Sequence, residues 1–163
     1  MTIVELPPKL VDDLTTGELY SFSERPNKGI PQVAIGIYTI WNGDEFAYVG
    51  ISGLSVKEND YKKDKIKGLK QRLRAHHGGG IGGDKFCVLV FERYISREIT
   101  SDVLEKLANK ELFLRELNRN FIRGDLSYRF TILDSKEHLQ EYETFIKKGG
   151  IESIGKPFLN PID

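Results

Sequence analysis

VAIGIYTIWNGDEFAYVGI, residues 33–51, decides the fold. Its halves, VAIGIYTIW (33–41) and EFAYVGI (45–51), are rich in β-branched and aromatic residues, and each is short enough to be one strand. The Asn42-Gly43-Asp44 sequence between them is a hairpin signal, because asparagine and glycine tolerate the positive φ such a turn needs. An antiparallel hairpin is therefore predicted.

Downstream, Gly53 to Asp64 is polar and reads as a loop. From Lys65 to His76, Ile66, Leu69, Leu73 and His76/His77 recur at helical spacing, and GGGIGG (78–83) stops that helix. KFCVLVFERY (85–94) is nearly continuously apolar and is predicted as a central strand covered on both faces. A single long helix is predicted over about 101–123, capped by Thr100 or Ser101 and ended by Gly124. Tyr128–Leu133 alternates like a strand, with Phe130 and Ile132 on one face. Asp134 and Glu137 form a capping-box pattern for a last helix, about 136–147, with Leu139, Tyr142 and Ile146 as its stripe. The tail KPFLNPID carries Phe158 and Leu159 and is expected to dock.

Upstream, residues 1–31 contain four prolines and read as an N-terminal arm, with a short helix over 9–15; residues 32–163 form the main domain. The order β-β-α-β-α-β-α gives an α+β fold, a small central, mostly antiparallel sheet flanked by helices. At 163 residues, 39% hydrophobic and 29% charged, the chain is of globular composition, not collagen-like or disordered. One cysteine, Cys87, excludes an internal disulfide and is expected to be a buried structural thiol. No secretory pattern opens the sequence and no apolar run is of membrane-spanning length, so a cytoplasmic protein without a membrane partner is expected.

Net charge is zero, but it is unevenly placed. Val56 to His76 holds eight Lys/Arg against three acids, a local +5, while the first 24 residues carry five acids and one lysine. One basic patch on an acidic body suits the phosphate backbone of a nucleic acid. Its candidate contacts are Lys62, Lys63, Lys65, Lys67, Lys70 and Arg74; the alternative is a solvated loop. The glycine tract lacks the Walker pattern, since Gly83 is followed by Asp84 and Lys85, and it reads as a turn. Adjacent His76 and His77 diverge on a helix and do not make a zinc site. Glu143 falls at the margin of the last helix's stripe, where it either rims the stripe in solvent or needs a partner or a metal; Glu141 is its neighbouring competitor.

Gly36-Ile37-Tyr38 and Tyr48-Val49-Gly50, one tripeptide on each strand of the hairpin, resemble the GIY-YIG nuclease superfamily, with valine for the usual central isoleucine. Lys70-x-Arg72-Leu73, Glu143 on a later helix and Pro157–Pro161 extend the resemblance over residues 31–161. GDKFCVLVFER, LSYRF and GKPFLNP look like a subgroup of small stand-alone bacterial proteins. The Tyr48-to-Arg72 path is lengthened by the lysine-rich segment. The resemblance implies a GIY-YIG-type fold and a divalent-metal-dependent endonuclease acting on nucleic acid, DNA in the first instance. It implies Tyr38 as base and Tyr48 as a positioning hydroxyl. Arg72 would be the phosphate ligand (Arg74 in the other register), Glu143 the ligand of Mg²⁺ or Mn²⁺, His76 an accessory proton acceptor and Asn160 an orienting residue. A tyrosine base requires its pKa, ordinarily near 10, to be depressed by its surroundings. The other reading is a non-catalytic nucleic-acid-binding module on the same fold. Oligomeric state is not readable from the sequence.

Overall fold

A computed structural model describes residues 4–161 of the chain. Strands β2 (Val33–Asn42) and β3 (Glu45–Ser52) form the predicted hairpin, turning through Gly43 at φ 59°. Two further strands, β1 (Tyr20–Ser21) and β5 (Leu126–Leu133), complete an antiparallel sheet of order β1-β5-β2-β3. β4 (Lys67–Gly68) pairs in parallel with the start of β2. The helices are α1 (Pro8–Thr15), α2 (Leu69–Gly78), α3 (Lys85–Val90), α4 (Ser101–Ala108), α5 (Leu114–Asp125) and α6 (Leu139–Lys147).

The alternation of β2 sends its side chains into two cores, so the strand is buried almost throughout. Ala34, Tyr38 and Ile40 join Leu69, Leu73, Phe86, Val90 and Ile122 beneath α2, α3 and α5. On the opposite face Ile35, Ile37 and Trp41 pack with Leu10 and Leu14 of α1 and Leu139 and Ile146 of α6. Burial of one such aliphatic side chain stabilises the fold by roughly 1.5–3 kcal/mol. Gly36 permits the close approach of α2, since a Cβ there would stand 2.7 Å from the Thr131 carbonyl and 2.9 Å from Leu69.

Several expectations are corrected. KFCVLVFERY is helical: α3 runs into a π-helical turn, Phe91–Ile95, and then a 3₁₀ turn, Ser96–Glu98. Its unbroken apolar character reflects a helix enclosed on most sides. The single helix over 101–123 is two, α4 and α5, separated where Lys110 turns to φ 60°. The Asp134–Glu137 box does not form; α6 starts after His138, itself at φ 62°. Strand β5 starts at Leu126, and of the two side chains expected on one face Phe130 is half-buried while Ile132 is exposed. The N-terminal segment carries the expected short helix and packs on the sheet: α1 is seated through Leu10 and Leu14, Thr39 donates to the Leu14 carbonyl at 2.9 Å, and β1 pairs with β5. No helix among the described residues is long and apolar enough to cross a membrane.

Candidate active site

A cavity of about 180 Å³ opens beside β3, the edge strand of the antiparallel sheet. Tyr38, Tyr48, Arg72, His76 and Glu143 all line it. Five of the six residues expected to act together are therefore brought to one place from four elements. β2 supplies Tyr38, β3 Tyr48, α2 both Arg72 and His76, and α6 Glu143. On α2, Leu69, Leu73 and His76 form the buried face, which leaves Arg72 on the exposed flank. Tyr38 sits directly opposite Gly50 in the hairpin register. A Cβ at Gly50 would collide with the Tyr38 hydroxyl, so only glycine there lets that ring lie across β3.

The Tyr38 hydroxyl meets His76 Nε2 at 2.7 Å, and His76 Nδ1 meets an Asp84 carboxylate oxygen, also at 2.7 Å. Asp84 accepts at Nδ1, so Nδ1 carries the proton and Nε2 is left to accept from Tyr38. Asp84 is itself fixed as the N-cap of α3, receiving the Phe86 amide at 3.1 Å, and its other oxygen lies 3.5 Å from Cys87 Sγ. The Phe86 ring flanks His76, with centroids 4.4 Å apart. Asp84, Lys85 and Phe86 also line the cavity, and the sequence reading assigned none of them a role. The available signal for Asp84 was its place just ahead of an apolar run, which is a helix N-cap pattern.

Burial dominates the electrostatics. It pushes the Tyr38 hydroxyl well above its ordinary value, with Tyr48 adding to the effect and Arg72 opposing it. Tyr48 is pushed up to about 12, chiefly by burial and then by Glu143 and Asp84. Tyr38 is thus not a preformed tyrosinate, contrary to the expected depression. Burial also lowers His76 against the opposing pull of Asp84, so the imidazole is neutral near pH 7. Burial would raise the Asp84 carboxyl, but its bonds from His76 and Cys87 outweigh that and hold it low.

The remaining candidates lie elsewhere. Asn160 does not line the cavity; its amide brackets Val49, accepting from the Val49 N–H at 2.8 Å and donating to its C=O at 3.0 Å. Arg74 is tied to the Pro26 carbonyl at 2.8 Å and to Asn27, which leaves Arg72 as the arginine of the cavity. Glu141 is exposed and engaged by His138 at 2.9 Å. Lys70 is buried and donates to Asn27, and Lys67 is paired with Asp60 at 2.8 Å. Lys62, Lys63 and Lys65 are exposed, and Lys63 lies 3.7 Å from Asp60.

Two places offer metal donors. The Glu143 side chain is 18% exposed, and its nearest cation, Lys147, stands 3.4 Å away. A single half-buried carboxylate beside an open cavity suits a hard ion that completes its shell with water and phosphate oxygens. His76, Asp84 and Cys87 also place donor atoms within 4.8 Å of one another. An ion there would break the His76–Asp84 bond and strip a thiol whose proton burial and Asp84 hold in place. No protein-family model matches the chain, and no curated protein or solved structure does so either.

Proposed function

We propose that the protein is a divalent-metal-dependent nuclease of the GIY-YIG type, hydrolysing phosphodiester bonds of nucleic acid. One observation carries this reading: Tyr38, hydrogen-bonded through His76 to Asp84, shares a small cavity with Arg72 and Glu143. Hydrolysis requires a water to lose its proton as it attacks phosphorus, and the growing charge on the phosphoryl oxygens must be met. In this arrangement Tyr38 receives the water's proton on its oxygen while its own passes to His76 Nε2. Deprotonation therefore needs no free tyrosinate, and the imidazolium forms beside the Asp84 carboxylate that stabilises it. The exposed Arg72 guanidinium presents a forked, permanently charged donor pair to the phosphate. Tyr48, neutral at any physiological pH, donates a hydrogen bond to the substrate. Glu143 would hold Mg²⁺ or Mn²⁺, which would supply neutralisation of phosphate and leaving-oxygen charge.

The test is incubation of the purified protein with labelled single-stranded, duplex and branched DNA and with RNA, in Mg²⁺, Mn²⁺ or EDTA. Metal-dependent cleavage that is lost in Tyr38→Phe and His76→Ala is the expected result. Binding without cleavage of any substrate would overturn the enzyme reading in favour of a nucleic-acid-binding module.

A further inference from the structure

A second, larger depression of about 1050 Å³ adjoins the cavity and shares Arg72 and Asp84 with it. Arg72, Arg74, Arg115 and Arg119 lie along its walls, against only two acids. Asp84 is buried on His76, and Glu116 accepts the Phe113 amide at 3.0 Å at the start of α5. Arg74 is held by Pro26 and Asn27, and Arg119 donates from Nε to the Gly78 carbonyl at 3.3 Å. Four arginines against two acids leave an excess of positive charge. The groove is therefore cationic and continuous with the site where a phosphate would be cut.

Two further features distinguish it from a generic basic surface. First, one wall is the glycine tract, and at Gly80 and Gly82 an added Cβ would meet nothing within 4 Å. Packing does not demand glycine at these positions; its effect is to keep side chains out of the groove and leave backbone amides and carbonyls facing it. Second, Phe113 lines the groove with 57% of its surface exposed, and Ile81 is 39% exposed on the same depression. An exposed aromatic ring beside arginines provides a stacking platform for a nucleobase. A duplex keeps its bases stacked within the helix and offers that ring no face, whereas a single strand offers one at every nucleotide.

We infer that this groove binds a single-stranded segment of nucleic acid, its phosphates on Arg115 and Arg119 and a base on Phe113, and feeds the strand toward Arg72. The inference rests on the nuclease reading of the adjoining cavity and names the form of substrate that cavity receives. DNA and RNA single strands share the phosphates and base faces on which it depends.

The experiment is fluorescence anisotropy in EDTA with a labelled oligodeoxynucleotide, the oligoribonucleotide of the same sequence, and the corresponding DNA duplex. The parent should bind a single strand more tightly than the duplex, and the tighter of the two single strands identifies the ligand. Phe113→Ala should weaken single-strand binding by about tenfold and leave duplex binding unchanged, with Phe113→Trp restoring it. Arg115→Ala, at an exposed position on α5, should flatten the dependence of log K on log salt by about 0.7 for the single strand. Melting temperatures on the same preparations separate loss of binding from loss of fold. Tighter binding of duplex, or single-strand binding indifferent to both Phe113 and Arg115, would overturn the groove. Metal-dependent cleavage is read in parallel. A parent that binds single strands through Phe113 but cuts nothing loses the nuclease reading and keeps the groove. Cleavage unaffected by Phe113→Ala and Arg115→Ala loses the groove and keeps the nuclease.

Discussion

At the level of single residues, the chemistry depends on which nitrogen of His76 carries a proton, and Asp84 decides that. The carboxylate accepts from Nδ1 and so keeps Nε2 free for Tyr38. Asp84→Asn tests this with little change of shape, since asparagine is also a good helix N-cap for the Phe86 amide. Its amide can donate to Nδ1, which shifts the imidazole to the tautomer protonated on Nε2, so that Nε2–H faces the tyrosine and can no longer take its proton. Cleavage should fall on the order of 10²–10⁴-fold, while the melting temperature near neutral pH stays close to that of the parent. Asp84 is a positioning residue, so the pH profile must move as well. In the proposed reaction His76 acts in its neutral form, and burial holds its pKa below the ordinary 6.5, so the parent rate should be level above that depressed pKa and decline below it. Asp84 raises the His76 pKa, and its neutralisation should push the acid limb of the remaining activity to lower pH. A variant with parental rate and an unmoved acid limb would remove Asp84 from the mechanism.

Among the elements, the hairpin was readable because two independent signals agreed: strand-like composition on both arms and an Asn-Gly turn between them. The helical spacing of Leu69, Leu73 and His76 likewise matches the buried face of α2, although the helix starts at Leu69 rather than Lys65 because Lys67–Gly68 pairs as a strand. The segment 85–94 defeated the reading because periodicity vanishes when a helix is covered on most of its surface, and an unbroken apolar run is then common to buried strand and buried helix. Asp84 was the signal that distinguished them, and as the N-cap of α3 it is also the hydrogen-bond partner of His76. The contacts of Asn160 were not legible for a related reason, since sequence shows that the tail docks but not what it docks onto. The tail runs along the free edge of β3, where the Phe158 amide donates to Phe46 at 3.0 Å, the Leu159 amide to Ala47 at 2.7 Å, and Asn160 closes both polar groups of Val49. It thereby satisfies an edge that would otherwise be open to pairing, and it fixes the strand carrying Tyr48 and Gly50. Asn160→Ala should leave two buried backbone groups unpaired and lower stability by about 1–3 kcal/mol in urea unfolding. The effect on cleavage should follow as a loosened Tyr48, smaller than that of removing His76. An unchanged unfolding midpoint would show that the tail is held by Phe158 and Leu159 without help from Asn160.

Taken as a whole, the molecule is two helical layers on one sheet, and the cavity lies where they meet at the β3 edge. Tyr38 and His76 belong to the layer of α2, α3 and α5, whereas Glu143 stands on α6, whose Leu139 and Ile146 pack on the opposite face. The basic patch follows the same economy of position. Lys67 and Lys70 are used by the fold, whereas of the candidate backbone contacts Lys62, Lys63 and Lys65 remain exposed on the segment before α2. Replacing these three with alanine should weaken single-strand and duplex binding alike and flatten the salt dependence, because the contact is with phosphates and carries no preference for base or strand. Parental affinity and slope would mark that segment as a solvated loop. Glu143→Ala isolates the contribution of the second layer. The only ion pair of Glu143 among the described residues, to Lys147 one helical turn away, is partly exposed and of little worth, and alanine is the better helix former. Melting should be unchanged or rise slightly. Affinity for nucleic acid in EDTA should hold or tighten, since a negative charge leaves the path of the phosphate. Mg²⁺-dependent cleavage should fall by an amount corresponding to about 3–6 kcal/mol of transition-state stabilisation if Glu143 holds the ion as proposed, since the cavity would then keep no carboxylate besides the histidine-bound Asp84. Full cleavage by this variant would show that α6 closes the cavity without serving it, and the search for the metal ligand would move to Asp84 and its neighbours.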